Sequence, residues 1–139
     1  MNIELNYPVF VLPRNNNMMY VYTKDKDWKS TSEELLKTLD YNNLDVIDSS
    51  GCMYKINKAF KVKYLGLLGF NPLLRGRQVL IDFEYDSNVE QLSLKDFKRK
   101  VIKRIMENKR FWESGWDIED LEQRLENSDN FYSIADLLK

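Results

Sequence analysis

Histidine is absent from all 139 residues, and cysteine occurs once, as Cys52. The first absence removes the commonest general base, the commonest metal-binding side chain and every serine–histidine or cysteine–histidine nucleophile pair. A lone thiol can build neither an internal disulfide nor a zinc site, and it suits a reducing compartment. No apolar run approaches the roughly 18 residues that a membrane-spanning helix needs. The opening Met1-Asn2-Ile3-Glu4-Leu5-Asn6 has no basic stretch followed by an apolar one, so no leader is read there and the expected location is the cytoplasm. Neither GxxxxGK[ST] nor GxGxxG occurs, leaving nucleotide binding by a glycine loop unsupported. The expectation is a non-enzyme with no catalytic residue, metal or cofactor.

What is present describes one globular domain over residues 1–139, with 43% apolar, 31% charged and 13% aromatic residues. The net charge of −1 conceals a segregation along the chain. Residues 1–52 carry 5 basic and 8 acidic side chains, residues 53–112 carry 14 and 6, and residues 113–139 carry 2 and 8. Such asymmetry points either to partners or to pairing within the fold.

Periodicity sets the expected elements. Ile3, Leu5, Tyr7, Val9 and Val11 alternate as one side of a strand, which Pro8 assigns to a sheet edge or a bulge. Asn15, Asn16 and Asn17 form a turn into a return strand at 18–23. A capping box in Ser30-Thr31-Ser32-Glu33-Glu34 predicts a helix over 31–39, packed through Leu35, Leu36 and Leu39. Strands follow at 44–48 and 53–65, joined by Ser49-Ser50-Gly51; in the second, Tyr54, Ile56, Phe60, Val62 and Tyr64 point inward. Strand 78–86 sets Val79, Ile81, Phe83 and Tyr85 against Asp82, Glu84 and Asp86, and its carboxylates are expected to face neighbouring lysines. The period then becomes helical over 93–112, with Ser93 as N-cap, then after Asp117, and again after Ser128 or Asn130. The predicted fold class is α+β: a mostly antiparallel sheet of about five strands with one wet face, one helix inserted early and two to three C-terminal helices on one face.

Several groups bear on function. Asp82, Glu84 and Asp86 share a strand face and can be read as a magnesium site, but alternation alone already explains all three. Gly66-Leu67-Leu68-Gly69 has the spacing of a nucleic-acid-clamping loop, yet its central pair is apolar. Leu67, Leu68 and Phe70 in the 66–76 loop either close the core or present an apolar patch to a partner. On the 95–110 helix, Lys98, Arg99, Lys103 and Arg104 lie among basic residues suited to phosphate contact, which supports an alternative role in nucleic-acid binding. Beyond it, Glu113, Asp117, Glu119, Asp120 and Glu122 border an apolar stripe beside Trp112 and Trp116. That surface suits a basic protein partner, or merely solubilises a covering helix.

The turn Asp48-Ser49-Ser50-Gly51 with Tyr54-Lys55-Ile56, the strand from Val79 to Tyr85, and the endings Trp112-Glu113-Ser114-Gly115-Trp116, Asp117-Ile118-Glu119-Asp120-Leu121 and Ser133-Ile134-Ala135-Asp136-Leu137-Leu138 carry a resemblance. Together they resemble the small bacterial immunity proteins encoded beside polymorphic or contact-dependent toxins. The resemblance implies an inhibitor without catalysis that binds one cognate toxin domain, often a nuclease. It transfers no particular binding residue.

Overall fold

The computed structural model describes residues 3–66 and 77–139; the predicted loop contacts of Leu67, Leu68 and Phe70 lie outside the described residues. The fold is α+β, and every strand pairing among the described residues is antiparallel. Strands β1 (Val9–Pro13), β2 (Tyr20–Tyr22), β3 (Ser30–Ser32), β4 (Leu44–Ile47), β5 (Cys52–Tyr64) and β6 (Gln78–Tyr85) run in the order β2-β1-β4-β5-β6-β3, and the short β7 (Glu90–Gln91) pairs with β5. The predicted count of about five strands is therefore exceeded, because β3 and β7 are only three and two residues long and too brief to show a period.

The first strand corrects the sequence reading most clearly. It begins after Pro8 and sits between β2 and β4, away from the sheet edge. Its alternation has two buried sides. Phe10 and Leu12 join one core with Ile47, Met53 and residues of the C-terminal helices, whereas Val9 and Val11 join a second core with Val46, Ile56, Val79, Ile81 and Phe83. The expected wet face is thus filled on this part of the sheet. The sheet curls around the second core, and Trp28 reaches across it: its ring lies 5.2 Å from that of Tyr22 on the edge strand β2 and stacks 4.7 Å from that of Phe83 on β6, the neighbour of the other edge strand.

Farther along β5 the predicted inward set fails at Phe60 and Val62 for a local reason, while Tyr64 packs against the core as predicted. The pairing with β6 shifts between Ile56 and Lys58, and inserting one residue reverses which side chains face the core. Ala59 consequently takes the place opposite Phe83 and packs on the core, while Phe60 and Val62 are 37% and 52% exposed. Glu84 meets a lysine in register, but it is Lys58, which the alternation placed on the inward side; the outward Lys61 and Lys63 stand opposite Ile81 and Leu80. Asp82 faces Phe60 and forms its ion pair with Lys29 instead, at 3.4 Å.

Two short helices join the early strands: α1 (Asp25–Trp28), which buries Trp28, and α2 (Glu33–Thr38). Ser32 caps α2 by accepting a hydrogen bond from the Leu35 N–H, so this helix starts later than predicted and Thr31 belongs to β3. It does not pack through all three leucines. Leu35 and Leu39 are 52% and 46% exposed, and only Leu36 contacts the core.

The turn between β4 and β5 depends on two residues. Asp48 is fully buried, and its carboxylate accepts from the backbone N–H groups of Asn6, Ser50 and Cys52 and from the Ser50 hydroxyl. These bonds hold the N-terminal segment against the hairpin. Gly51 adopts φ +87°, and a Cβ there would stand 2.6 Å from the Leu92 carbonyl oxygen, so only glycine fits. The Leu92 N–H in turn donates to the Gly51 carbonyl at 2.8 Å, fixing the approach to the C-terminal helices.

Those helices are α3 (Leu94–Glu107), α4 (Lys109–Trp112), α5 (Ile118–Glu126) and α6 (Phe131–Leu138). Ser93, Asp117 and Asn130 each accept from the backbone N–H three residues later, as N-caps do. The single helix predicted over 93–112 is interrupted at Asn108. Phe97, Val101, Ile105, Trp112, Leu121, Leu125 and Ile134 fill the core against β1 and β4, each large side chain worth about 2 kcal/mol of burial. No described helix is long and apolar enough to cross a membrane.

Candidate functional site

The acidic and basic segments lie on neighbouring helices, α5 and α3, and the fold treats their charges differently. On α3, Lys98 donates through Nζ to the Glu126 carbonyl at the end of α5, at 2.8 Å. A cation there meets the negative end of the helix dipole. Arg104 reaches the opposite way and donates through Nη1 to the carbonyls of Asn16 and Met18 at 3.0 and 2.9 Å, clamping the β1–β2 turn to the helix. Arg99 and Lys103 remain exposed and make only loose pairs with Asp96 and Glu107, each at 3.9 Å. The four basic residues considered for phosphate contact are therefore not one free face: two fasten the fold and two point to solvent.

Most carboxylates of the acidic segment stay outward. Asp117 is occupied as N-cap of α5, and Asp120 pairs with Arg124 at 3.0 Å. Glu113 and Glu119 are exposed and Glu122 is half-buried, and none of the three carboxylates forms an ion pair with a described residue. The helix that carries Glu119 and Glu122 is held by Leu121 and Leu125, both fully buried, so those two charges stand on a rigid base, and Glu113 follows the buried Trp112. Trp112 departs from the expected surface role: it is 7% exposed and belongs to the core. Trp116 is half-buried against the same core, with the Arg124 guanidinium 5.9 Å from its ring centre. Phe111 takes the exposed aromatic position that the sequence suggested for Trp112, at 50% exposure.

A second feature was not legible in the sequence. Between the edge strands β2 and β3 opens a cavity of about 310 Å³, walled by Tyr20, Tyr22, Trp28 and Tyr41, with Asp27 and Asp40 among its polar residues. These side chains come from separate segments, and only the curl of the sheet assembles them. A further hollow of about 310 Å³ next to α4 is lined by Phe111, Trp112, Trp116 and again Tyr20, so one tyrosine joins the two regions.

The carboxylates of β6 do not gather into a metal site. Asp82 pairs with Lys29, Glu84 faces Lys58, and no group of three His, Cys, Asp or Glu residues suited to a metal ion occurs among the described residues. Compared with protein-family models, curated proteins and solved structures, the chain gives no match.

Proposed function

We propose that this protein is a non-enzymatic, stoichiometric inhibitor acting in the cytoplasm, of the immunity type, which binds a basic protein such as a toxin nuclease domain through the acidic face of α5 together with Glu113 of the turn before it. The observation that carries this reading is the set of carboxylates without an ion pair among the described residues: Glu119 and Glu122 on α5, which is anchored by a fully buried leucine pair, and Glu113 in the turn before it. Rigid charge of one sign steers an oppositely charged partner and fixes its orientation without prior ordering of the surface. Phe111 and Trp116 supply aromatic surface beside it, the kind that anchors interfaces. A toxin with a basic substrate groove has the complementary sign, and covering that groove stops its activity without any chemistry by the inhibitor.

The test uses the tagged full-length protein, chemical cross-linking in its native host, and titration of the captured partner made recombinantly. The reading expects a basic partner, one-to-one binding, cross-links on α4 and α5, and loss of the partner's toxicity on co-expression. Salt-dependent binding to mixed-sequence DNA or RNA in the absence of any protein partner would favour the nucleic-acid alternative instead.

A further inference from the structure

We propose that the cavity between β2 and β3 is a receptor for a single basic side chain, an arginine, presented by the protein partner. The inference rests on the reading of a basic protein partner and adds where that partner is anchored.

Charge, shape and rim each support it. Among the described residues lining the cavity the ionisable groups are Asp27, Asp40 and tyrosines, and no lysine or arginine is present. Asp40 is engaged locally, accepting from the Asn42 N–H and the Asn43 amide, whereas the exposed Asp27 carboxylate has no hydrogen bond or ion pair with a described residue. Burial raises the pKa of the Tyr22 phenol, and the nearby Tyr41 and Tyr20 phenols add to that rise; burial raises Tyr41 as well. The Tyr22 and Tyr41 phenols thus stay neutral at physiological pH, and the acidic side chains that line the cavity are Asp27 and Asp40. A cation between aromatic rings and a carboxylate is attracted by both. The volume of about 310 Å³ is at the small end of ligand pockets, fitting one long side chain better than a cofactor.

The rim argues for a protein as the source. Tyr20, Leu35 and Leu39 are 43%, 52% and 46% exposed, and all three line this cavity. A free small cation would leave these apolar surfaces in water, while a polypeptide that inserts one side chain covers them with its flanks. Tyr20 also lines the hollow that contains Phe111 and Trp116, so one partner can reach both the cavity and the acidic helix face.

The experiment titrates the isotopically labelled full-length protein with N-acetyl-Leu-Arg-Leu-amide and with the same peptide carrying citrulline, the neutral isostere, and follows backbone amide resonances. The arginine peptide is expected to shift residues around Tyr20, Trp28 and Tyr41 with millimolar affinity, and the citrulline peptide to bind at least about fivefold more weakly. Asp27→Asn should weaken the arginine peptide by a similar factor, and Leu35→Ala should weaken both peptides; both sites are exposed, and an unchanged amide spectrum of the free variant confirms its fold. Equal binding of the two peptides, or shifts confined to α4 and α5, would overturn the cavity proposal, the second leaving the acidic-face reading intact. Shifts at the cavity alone support the proposal and leave the acidic face untouched, since a single arginine fills one site and the rest of the partner is absent. No shifts anywhere would count against both.

Discussion

Helices α3 and α5 are similarly dense in charge along the sequence, yet the fold uses them in opposite ways. Lys98 and Arg104 of α3 turn inward to the Glu126, Asn16 and Met18 carbonyls, so part of the basic run is internal fastening. The carboxylates of α5 mostly turn outward; among the described residues, Asp117 and Asp120 are the ones engaged locally. A charged stretch therefore says little about availability until the hydrogen-bond partners are known. Long basic side chains find backbone carbonyls readily because they donate several hydrogen bonds, while carboxylates accept only and must find N–H groups that helices have already used.

Both helices depend on one turn. Asp48 and Gly51 secure the turn that leads through Leu92 to both helices, so Asp48→Ala, which strands buried donors, is expected to cost about 3 kcal/mol in urea unfolding. Alkali offers the next largest effect. Burial pushes the Tyr54 and Tyr85 phenols up to about 12, above the unfolded value of about 10. Because the folded pKa is the higher one, their contribution is complete below about pH 10 and is lost as the pH rises through about 12. Thermal melts should be level from pH 7 to 9 and fall steeply above 10.

Smaller effects sharpen the contrast itself. Arg104→Met, which leaves two carbonyls without their donor, should lose about 2 kcal/mol, and Lys98→Met about 1 kcal/mol, both measured by chemical denaturation. Glu119→Gln and Glu122→Gln should change stability by less than about 0.5 kcal/mol. If the α5 substitutions cost as much as those on α3, its carboxylates are structural and the distinction between the helices fails.

Parts of this arrangement could be read from the sequence because they depend on near neighbours. The caps at Ser93, Asp117 and Asn130, the polar turn at Asn15–17 and the clean alternation of β6 are set within a few residues, and each is found where local chemistry puts it. The α+β class followed from them. What stayed hidden depends on distant segments. The alternation of β1 cannot show that both of its faces are covered, because the second cover, built around Trp28 and Tyr41, comes from elsewhere in the chain. The shift beyond Ile56 moves Phe60 from its predicted inward position, and Trp112 packs into the core instead of joining the acidic surface beside it. The acidic face was legible as composition; which of its carboxylates stay unpaired was not.

On the proposed reading, outward carboxylates, more than any other charge in the molecule, recognise the partner. The most direct measurement is calorimetric titration of the recombinant partner with the wild-type protein and with a Glu113→Lys, Glu119→Lys, Glu122→Lys triple variant whose melting temperature matches the wild type. A loss of affinity of at least about thirtyfold, with the wild-type complex weakening as salt rises, is the predicted result. Unchanged affinity in the triple variant would contradict it.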